Sequence, residues 1–394
     1  MTTVDQTFAL IDSLIPDPLE SETVPLDQSL HRILRQTIHA SDDQPPFDRS
    51  SIDGYLVHQD QEATRVRILS SHSTGSMAPP TPSPGTAFRI YTGSSVPSVA
   101  ALIMQEDTQT LPDGTVKLLK KPTSSLIRPR GSHFRKGATL VAAPNQLQPG
   151  SIGLLASLGV TRLQVSRLPR VAHLVTGAEL VDPSQSPAEG QIRDANSIMV
   201  RSLLTASPSD LFWQTRIGDD RKDFLQSLQK ALTQQPDMVL LSGASSVGDQ
   251  DHTGSVLQEF GLQIVVRQVN IRPGKPLIIA QKGTTLAFGL PGNPLSHFVC
   301  FHLFVRRALD RWGGLPPAPL LEAKLLSESD VKSDPRETWW PGHLTALHQN
   351  LAVRPLPWRD SSDLSCLAQT NALLRIPAGR KAGSRVEVLP TMAW

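Results

Sequence analysis

Three short apolar segments of this chain each run into a polar loop that contains glycine. The segments are 171–175, 238–241 and 286–288, and their loops begin with Thr-Gly, Ser-Gly and Gly-Leu-Pro-Gly. Helical spacing of apolar residues occurs between the first and second segments, at 196–204 and 224–232, and after the third, at 294–309. Buried strands that alternate with helices are typical of an α/β domain with a mostly parallel sheet. This alternation constrains the fold more than any other feature of the sequence.

The regions on either side of this domain favour β-structure. Valine-, isoleucine- and leucine-rich runs alternate with Pro, Gly and Ser turns, at 66–69, 88–91, 100–104 and 116–119. Residues 73–85, with four prolines and two glycines, are predicted to form an exposed loop. After the Pro/Gly-rich segment 313–319 the chain returns to short strands and turns, which predicts a small C-terminal β-domain.

Two helical stretches are predicted at the N-terminus. Val4, Phe8, Ile11 and Ile15 have 4-3-4 spacing, with a threonine cap before them and prolines after them. A second amphipathic stretch has its apolar residues on one face between positions 26 and 34.

Composition excludes several protein classes. Lys+Arg 38 against Asp+Glu 36 leaves a formal charge of +2, which argues against a polybasic nucleic-acid binder. Cys300 and Cys366 are far apart and belong to no CxxC motif, which argues against a disulfide framework or a structural zinc site. No apolar run approaches the roughly 18 residues of a membrane span, and no signal peptide is evident. We therefore expect a cytoplasmic protein that contacts neither nucleic acid nor membrane.

The three loops predict an anion site. The carboxyl ends of parallel strands meet at one edge of a sheet, where ligands bind. Serine hydroxyls and glycine amides in these loops suit an oxyanion, and carboxylates at Asp249 and Asp251 suit a hard cation such as Mg²⁺. The alternative for any one loop is an ordinary strand-to-helix turn; three loops on one edge favour a site.

Two cations surround a Pro-Gly turn at 271–276. Arg272 and Lys275 could belong to a solvated hairpin or could bind a phosphate. His252 is a candidate general base, although a lone loop histidine is more often a hydrogen-bonded bystander. The sequence has no Walker A or HExxH motif and no recognisable motif of a Ser-His-Asp catalytic triad.

Seven ordered motifs make the chain resemble the molybdopterin molybdenumtransferase family, which includes the E domain of gephyrin. Three lie in the N-terminal part: Pro-Pro-Phe-Asp-Arg-Ser-Ser-Ile-Asp-Gly-Tyr (45–55), Arg-Ile-Tyr-Thr-Gly-Ser-Ser-Val-Pro (89–97) and Ile-Arg-Pro-Arg-Gly (127–131). Four follow: Thr-Gly-Ala-Glu-Leu (176–180), the loop 242–253, Arg-Pro-Gly-Lys-Pro (272–276) and Leu-Pro-Gly-Asn-Pro (290–294). The likeness covers nearly the whole chain.

The resemblance implies a multidomain, elongated chain of the α/β plus β class. The implied domains are a discontinuous linking domain (1–45 and 132–168), an elongated β-rich domain (46–131), a central α/β molybdopterin-binding domain (169–314) and a C-terminal β-barrel-like domain (315–394). The implied activity is insertion of molybdate into adenylylated molybdopterin, with release of AMP and molybdenum cofactor.

The resemblance also implies a homodimer and the residues of a shared site. The implied catalytic residues are Asp53 and Thr92 from one protomer, with Glu179, Asp219 and Asp251 from the other. Glu179, Asp219 and Asp251 are the implied Mg²⁺ ligands. The predicted substrate-binding residues are Ser242, Gly243, Ser245, Ser246, Gly248, Asp249, Arg272, Lys275, Pro291, Gly292 and Asn293.

Some positions depart from the family pattern. Ala244 and Ser245 replace a usual Gly-Val, while Gln268 and Pro341 stand where a cation is common. Because lost cations weaken binding of a polyanion, a catalytically weakened binding or scaffold protein of the same fold is the alternative function. The related adenylyltransferase activity is a third hypothesis. Expected partners are a second copy of the chain and, transiently, molybdoenzymes or the adenylyltransferase.

Overall fold

The computed structural model describes residues 1–218, 220–243, 249–327, 331–347, 350–380 and 382–392, except for the side chains of 249–252. The α-helices of these residues are α1 Val4–Leu14, α2 Pro149–Ser157, α3 Ala195–Thr205, α4 Arg221–Thr233, α5 Asp249–Glu259, α6 Pro294–Cys300 and α7 Arg306–Gly313. A π-helical turn, Phe301–Val305, joins α6 to α7. Single 3₁₀ turns occur at Leu26–Gln28, Gln105–Asp107, Ser124–Leu126 and Leu367–Gln369.

The strands of the first part of the chain are β1 Ser21–Pro25, β2 Ile33–Leu34, β3 Ile38–His39, β4 Arg49–Ser50, β5 Gly54–His58, β6 Arg65–His72, β7 Thr86–Ile90, β8 Ala100–Met104, β9 Thr108–Thr110, β10 Val116–Leu118, β11 Ile127–Arg128, β12 Thr139–Val141, β13 Asn145–Gln146 and β14 Arg162–Ser166. The remaining strands are β15 Arg170–Thr176, β16 Leu180–Val181, β17 Ile192–Arg193, β18 Asp210–Ile217, β19 Met238–Ser242, β20 Gln263–Val266, β21 Ile271–Arg272, β22 Ile278–Lys282, β23 Thr285–Leu290, β24 Leu321–Leu325, β25 Glu337–Leu347, β26 Asn350–Pro355, β27 Ala372–Ile376 and β28 Arg385–Pro390.

The central sheet has the strand order β18-β15-β19-β23-β22-β20. Its first four strands are parallel, β22 runs antiparallel to β23, and β20 runs antiparallel to β22. Alternate residues of β15 and β19 face opposite layers: Leu174 packs with α4 and α5, whereas Val171 packs with α3 and α6. Since both faces are covered, the strands read as continuous apolar runs. The predicted α/β domain with a mostly parallel sheet is confirmed.

The C-terminal strands form a closed barrel. Strand β25 pairs with both β26 and β27, and the ladder continues through β24 and β28 back to β27, so five strands close in the described part of this region. Trp340, Leu344 and Val353 are buried inside. The predicted C-terminal β-barrel is confirmed. Strand β21 pairs in parallel with the first two residues of β25.

Contacts between residues divide the chain into two compact units. Unit 1 comprises 1–35, 144–148 and 162–394, and unit 2 comprises 36–143 and 149–161. Unit 2 contains the sheet β8-β5-β7-β6-β10-β9 and the short ladders β11-β4 and β12-β3, so the predicted β-rich character of this region is confirmed. The sheet β1-β14-β2-β13 belongs to unit 1. The four-part division at the predicted boundaries stays a prediction.

The two N-terminal predictions have different outcomes. Helix α1 begins at the predicted threonine cap, and the structure adds a capping box in which Thr3 and Gln6 exchange hydrogen bonds. The second amphipathic stretch is not a helix, so that prediction is wrong. His31 has a φ of 63°, which interrupts a right-handed helix. Ile33 and Leu34 are both buried in β2, where pairing with β13 and β14 replaces helical hydrogen bonds. Among the described helices, none has the length and apolar character required to cross a bilayer.

Candidate functional site

A cavity of about 980 Å³ opens in unit 1 at the carboxyl ends of the parallel strands. Strands β15, β19 and β23 end level with one another, because Ser242 is in register with Val175 on one side and Leu290 on the other. The predicted site residues that line the cavity are Glu179, Ser242, Gly243, Arg272, Lys275, Pro291, Gly292 and Asn293. Its volume is within the range typical of cofactor-sized ligands.

Close backbone packing sets the floor of the cavity. Gly243 has a φ of +90°, and a Cβ there would lie 2.2 Å from the carbonyl oxygen of Thr176. The Thr176 hydroxyl donates a hydrogen bond of 3.1 Å to the carbonyl of Ser242. Gly292 adds to this packing, since a Cβ on it would lie 3.5 Å from the Gly243 Cα. Any larger residue at position 243 would therefore clash with the end of β15.

Side chains from two helices hold the third loop. The Asn196 amide donates to the Gly292 carbonyl at 2.7 Å. His297 is fully buried, and burial lowers its pKa to about 4. As a neutral ring it donates from Nδ1 to the Pro291 carbonyl at 3.1 Å. The Asn293 amide donates to the Ser361 hydroxyl at 2.7 Å, which connects this loop to the segment after β26.

The two predicted cations differ in their surroundings. The Arg272 guanidinium is 3.0 Å from the Asp334 carboxylate and stacks over the Trp358 ring at 5.0 Å. Lys275 is half-buried, and within the described residues its ammonium makes no ion pair or hydrogen bond. Lys275 therefore has its full charge available for a ligand, whereas the charge of Arg272 is partly neutralised.

The barrel region also contributes to the cavity, which its sequence pattern did not predict. Arg336 from the segment before β25 and 358–362 from the loop after β26 line the cavity. A cation is common at position 341 in the family, but here Pro341 is buried inside β25. Pro341 is not part of the cavity lining. The Trp-Arg-Asp-Ser-Ser run at 358–362 is a sequence signal that could have pointed to this loop.

The charge of the lining favours an anion. Among the described lining residues, five cations face three carboxylates: Arg193, Arg272, Lys275, Arg336 and Arg359 against Glu179, Asp194 and Asp360. Gln268, one of the departures from the family pattern, also lines the cavity. Asp194 accepts hydrogen bonds from Ser197 as the N-cap of α3, so part of the negative charge is already used inside the fold.

Asp53 and Thr92 lie together in unit 2. Both the backbone amide and the hydroxyl of Thr92 donate to the same Asp53 oxygen, at 2.7 and 2.8 Å. These hydrogen bonds hold the pKa of the exposed Asp53 carboxyl below its usual value. Thr92 thus holds the exposed Asp53 side chain in its ionised form and in a defined orientation.

The remaining predicted residues lie outside the described part. Position 219 and positions 244–248 are not described, which covers Asp219, Ala244, Ser245, Ser246 and Gly248. Of Asp249, Asp251 and His252 only the backbone, in α5, is described. The described residues contain no group of three or more His, Cys, Asp or Glu side chains that could hold a metal ion. Of the three predicted Mg²⁺ ligands, Glu179 is the one with a described side chain, and it is exposed at the cavity.

Comparisons with known proteins agree with this architecture. Three family models match in order: the MoeA N-terminal region (domain I and II) at 2–159, a probable molybdopterin binding domain at 172–311, and the MoeA C-terminal region (domain IV) at 324–391. The molybdopterin molybdenumtransferase of Nostoc sp. is 31% identical to this chain, with coverage of 96% of this chain and 91% of the relative. That of Bacillus subtilis is 30% identical, with coverage of 94% and 90%.

A solved structure extends the match to the whole fold. The molybdopterin biosynthesis MoeA protein from Pyrococcus horikoshii is 27% identical and superimposes with a TM-score of 0.75 over all of both chains. The resemblance predicted from the seven motifs is confirmed. This chain belongs to the molybdopterin molybdenumtransferase family.

Proposed function

We propose that the chain inserts molybdate into adenylylated molybdopterin and releases AMP and molybdenum cofactor. The observation that carries the proposal is the cavity at the carboxyl ends of β15, β19 and β23, whose described lining has more cations than carboxylates. Adenylylated molybdopterin and molybdate are both anions, so this lining suits them. The volume of about 980 Å³ suits a ligand of that size.

We further propose a role for Lys275 and for the backbone of the Gly243 turn. Lys275 is half-buried and has no ion pair within the described residues, so it can bind a phosphate or molybdate oxygen as a point charge. The absence of a side chain on Gly243 lets its backbone approach Thr176 at the floor of the cavity, where its amide can face a ligand. Arg272 orients the bound anion, because Asp334 and Trp358 hold its guanidinium in place.

Mg²⁺ is proposed as the cofactor, with Glu179, Asp219 and Asp251 as its ligands. Carboxylate oxygens are the ligands that Mg²⁺ prefers, and the Glu179 carboxylate is exposed at the cavity. When bound, the ion would supply positive charge next to the adenylate phosphate.

A homodimer is proposed, in which Asp53 and Thr92 of one protomer complete the cavity of the other. The orientation of the Asp53 carboxylate by two hydrogen bonds from Thr92 supports a role in binding rather than in a turn alone. We also propose a cytoplasmic protein that meets the adenylyltransferase or molybdoenzymes transiently.

One observation favours the alternative of a weakened binding or scaffold protein. The charge of Arg272 is shared with Asp334, and Gln268 stands in the lining where a cation is common in the family. Such a protein would bind adenylylated molybdopterin but turn it over slowly.

Turnover on purified full-length protein tests the proposal. The protein is mixed with adenylylated molybdopterin, molybdate and Mg²⁺, and AMP is measured by chromatography. We expect AMP release that depends on molybdate, together with reconstitution of an apo-molybdoenzyme. Binding without AMP release would support the alternative, and absence of binding would refute both functions.

A further inference from the structure

A histidine interrupts the buried apolar strand β15. The side chain of His173 is fully inaccessible to solvent, and its neighbours Val171, Ala172, Leu174 and Val175 are all apolar. Burial of an imidazole is unfavourable unless both ring nitrogens find hydrogen-bond partners. Here both nitrogens have partners, and one of them, Ser242, lines the cavity.

The hydrogen bonds around Gln214 fix the direction of the network. The Gln214 Oε1 accepts from the Arg201 guanidinium at 3.0 Å. Its Nε2 therefore faces the other way, where it donates to the Ser197 carbonyl and to Nδ1 of His173, each at 2.9 Å. An amide nitrogen only donates, so Nδ1 of His173 is an acceptor and has no proton.

The proton of His173 must then be on Nε2. Burial lowers the pKa of His173 to about 3, and the nearby His297 and Arg201 act in the same direction, so the ring is neutral near pH 7. Nε2 lies 2.6 Å from the Ser242 hydroxyl and donates to its oxygen. Ser242 lies at the cavity with 1% of its surface exposed, and its proton finds no acceptor among the described residues.

We propose that His173 is a positioning residue that turns the Ser242 hydroxyl into a hydrogen-bond donor to a substrate oxyanion in the cavity. The network starts at the cationic Arg201 and passes through Gln214 and His173, and each of these three side chains donates to the next group on the way to the cavity. Each hydrogen bond polarises the next, which strengthens Ser242 as a donor and favours an anion over a neutral group. The identity of that anion, the phosphate portion of adenylylated molybdopterin, rests on the proposed function.

A double-mutant cycle tests the coupling. Calorimetry measures binding of adenylylated molybdopterin with Mg²⁺ and without molybdate, so that no turnover occurs. Ser242→Ala and His173→Phe should each weaken binding about tenfold, the loss expected for one hydrogen bond to a charged group. The double variant should bind no more weakly than Ser242→Ala, because the imidazole acts through the serine.

Two further variants separate positioning from packing. His173→Gln keeps a donor near the position of Nε2 and should restore affinity to within about threefold of wild type. His302→Phe is the matched control: His302 is also a buried neutral histidine, but it is not part of the cavity lining. This variant should bind like wild type. Unchanged affinity in His173→Phe, or losses that multiply in the double variant, would overturn the proposal.

The tautomer of His173 can be measured without any ligand. In ¹⁵N-histidine-labelled protein, the His173 resonances should show a protonated Nε2 and an unprotonated Nδ1 at pH 6 and at pH 8, and the assignment follows from their loss in His173→Gln. A proton on Nδ1 would refute the network. If wild-type protein fails to bind adenylylated molybdopterin, the proposed function is wrong, and the tautomer still decides the direction of the hydrogen bonds.

Discussion

The backbone of Gly243 passes so close to Thr176 that a methyl group on Gly243 would lie 2.2 Å from the Thr176 carbonyl oxygen. Two neighbouring parallel strands therefore end in direct contact at the floor of the cavity. Gly243→Ala should displace residue 243 from the end of β19, since the Thr176 carbonyl belongs to β15 and cannot move freely. We expect about a hundredfold loss of kcat/KM for AMP release, the size of effect that a displacement of about 1 Å can cause.

Gly283→Ala is the matched control for this prediction. Gly283 also has a positive φ, of 57°, but nothing lies within 4 Å of its added Cβ. This variant should lose about 1 kcal/mol of stability from backbone strain and keep its activity. Equal activity losses in the two variants would show that the close contact with Thr176 has no special role.

Lys275 should contribute more to substrate binding than an exposed lysine nearby. A charged contact with an oxyanion is worth about ten- to a hundredfold in affinity, so Lys275→Ala should weaken binding by that factor. Lys282→Ala is the control, because Lys282 is exposed and bonds to the Phe260 carbonyl instead. Calorimetry with adenylylated molybdopterin compares the two variants. Equal affinities would mean that Lys275 does not face the ligand.

Gln268→Lys should tighten binding, because Gln268 lines the cavity and a lysine there adds a cation. We expect about a three- to tenfold gain at low salt, and a smaller gain at 0.5 M salt because mobile ions screen part of the attraction. The measurement is the same calorimetric titration at two ionic strengths. A gain that is independent of salt would point to new packing contacts instead of charge.

The parts of the fold that were predictable are those in which local pattern and burial agree. Strands β15, β19 and β23 are buried on both faces and therefore read as apolar runs. Strand β18 lies at the sheet edge, is mostly half-buried and mixes apolar with polar residues. Strands β20 and β22 contain only short apolar runs, at 264–266 and 278–280, and the sequence pattern did not identify them as strands. These strands are stabilised by pairing with distant neighbours, which a local pattern does not contain.

The site, too, was predictable only where the local sequence has a recognisable pattern. Gly243 and Lys275 belong to segments with recognisable composition, and both line the cavity. Trp358 and Arg359 reach the same cavity from the barrel region, more than 80 residues further along the chain than Lys275. Only tertiary folding brings these segments together. His173 was predicted correctly as part of a strand, but its hydrogen bond to Ser242 depends on residues of β18 and α3.

A site shared between protomers requires a dimer. Light scattering at micromolar concentration should therefore give about twice 42.8 kDa. Asp53→Ala and Asp251→Ala should each abolish AMP release, but mixing the two inactive proteins should restore part of the activity, because one of the two sites in a mixed dimer is intact. A monomer with full activity, or mixed dimers without any activity, would contradict the shared site.

Buried histidines should make the protein less stable as the pH falls below 6.5. Burial lowers the pKa values of His173, His297 and His302 to about 3, 4 and 3, from the usual 6.5 of histidine. Below pH 6.5 the unfolded chain binds protons at these positions while the folded chain does not. The contribution of each neutral histidine is therefore complete above pH 6.5 and is lost as the pH falls towards 4, by up to about 1.4 kcal/mol per pH unit.

Urea unfolding of wild type and His302→Phe between pH 7 and pH 4.5 measures this effect. The variant should show a shallower fall in unfolding free energy with decreasing pH, by the slope that one titrating group contributes. The comparison cancels the carboxylates common to both proteins, including Asp310, where burial raises the pKa and gives a dependence of the opposite sign. Identical slopes would mean that His302 takes up a proton in the folded state, which its buried position, with no hydrogen-bond partner for Nε2, argues against.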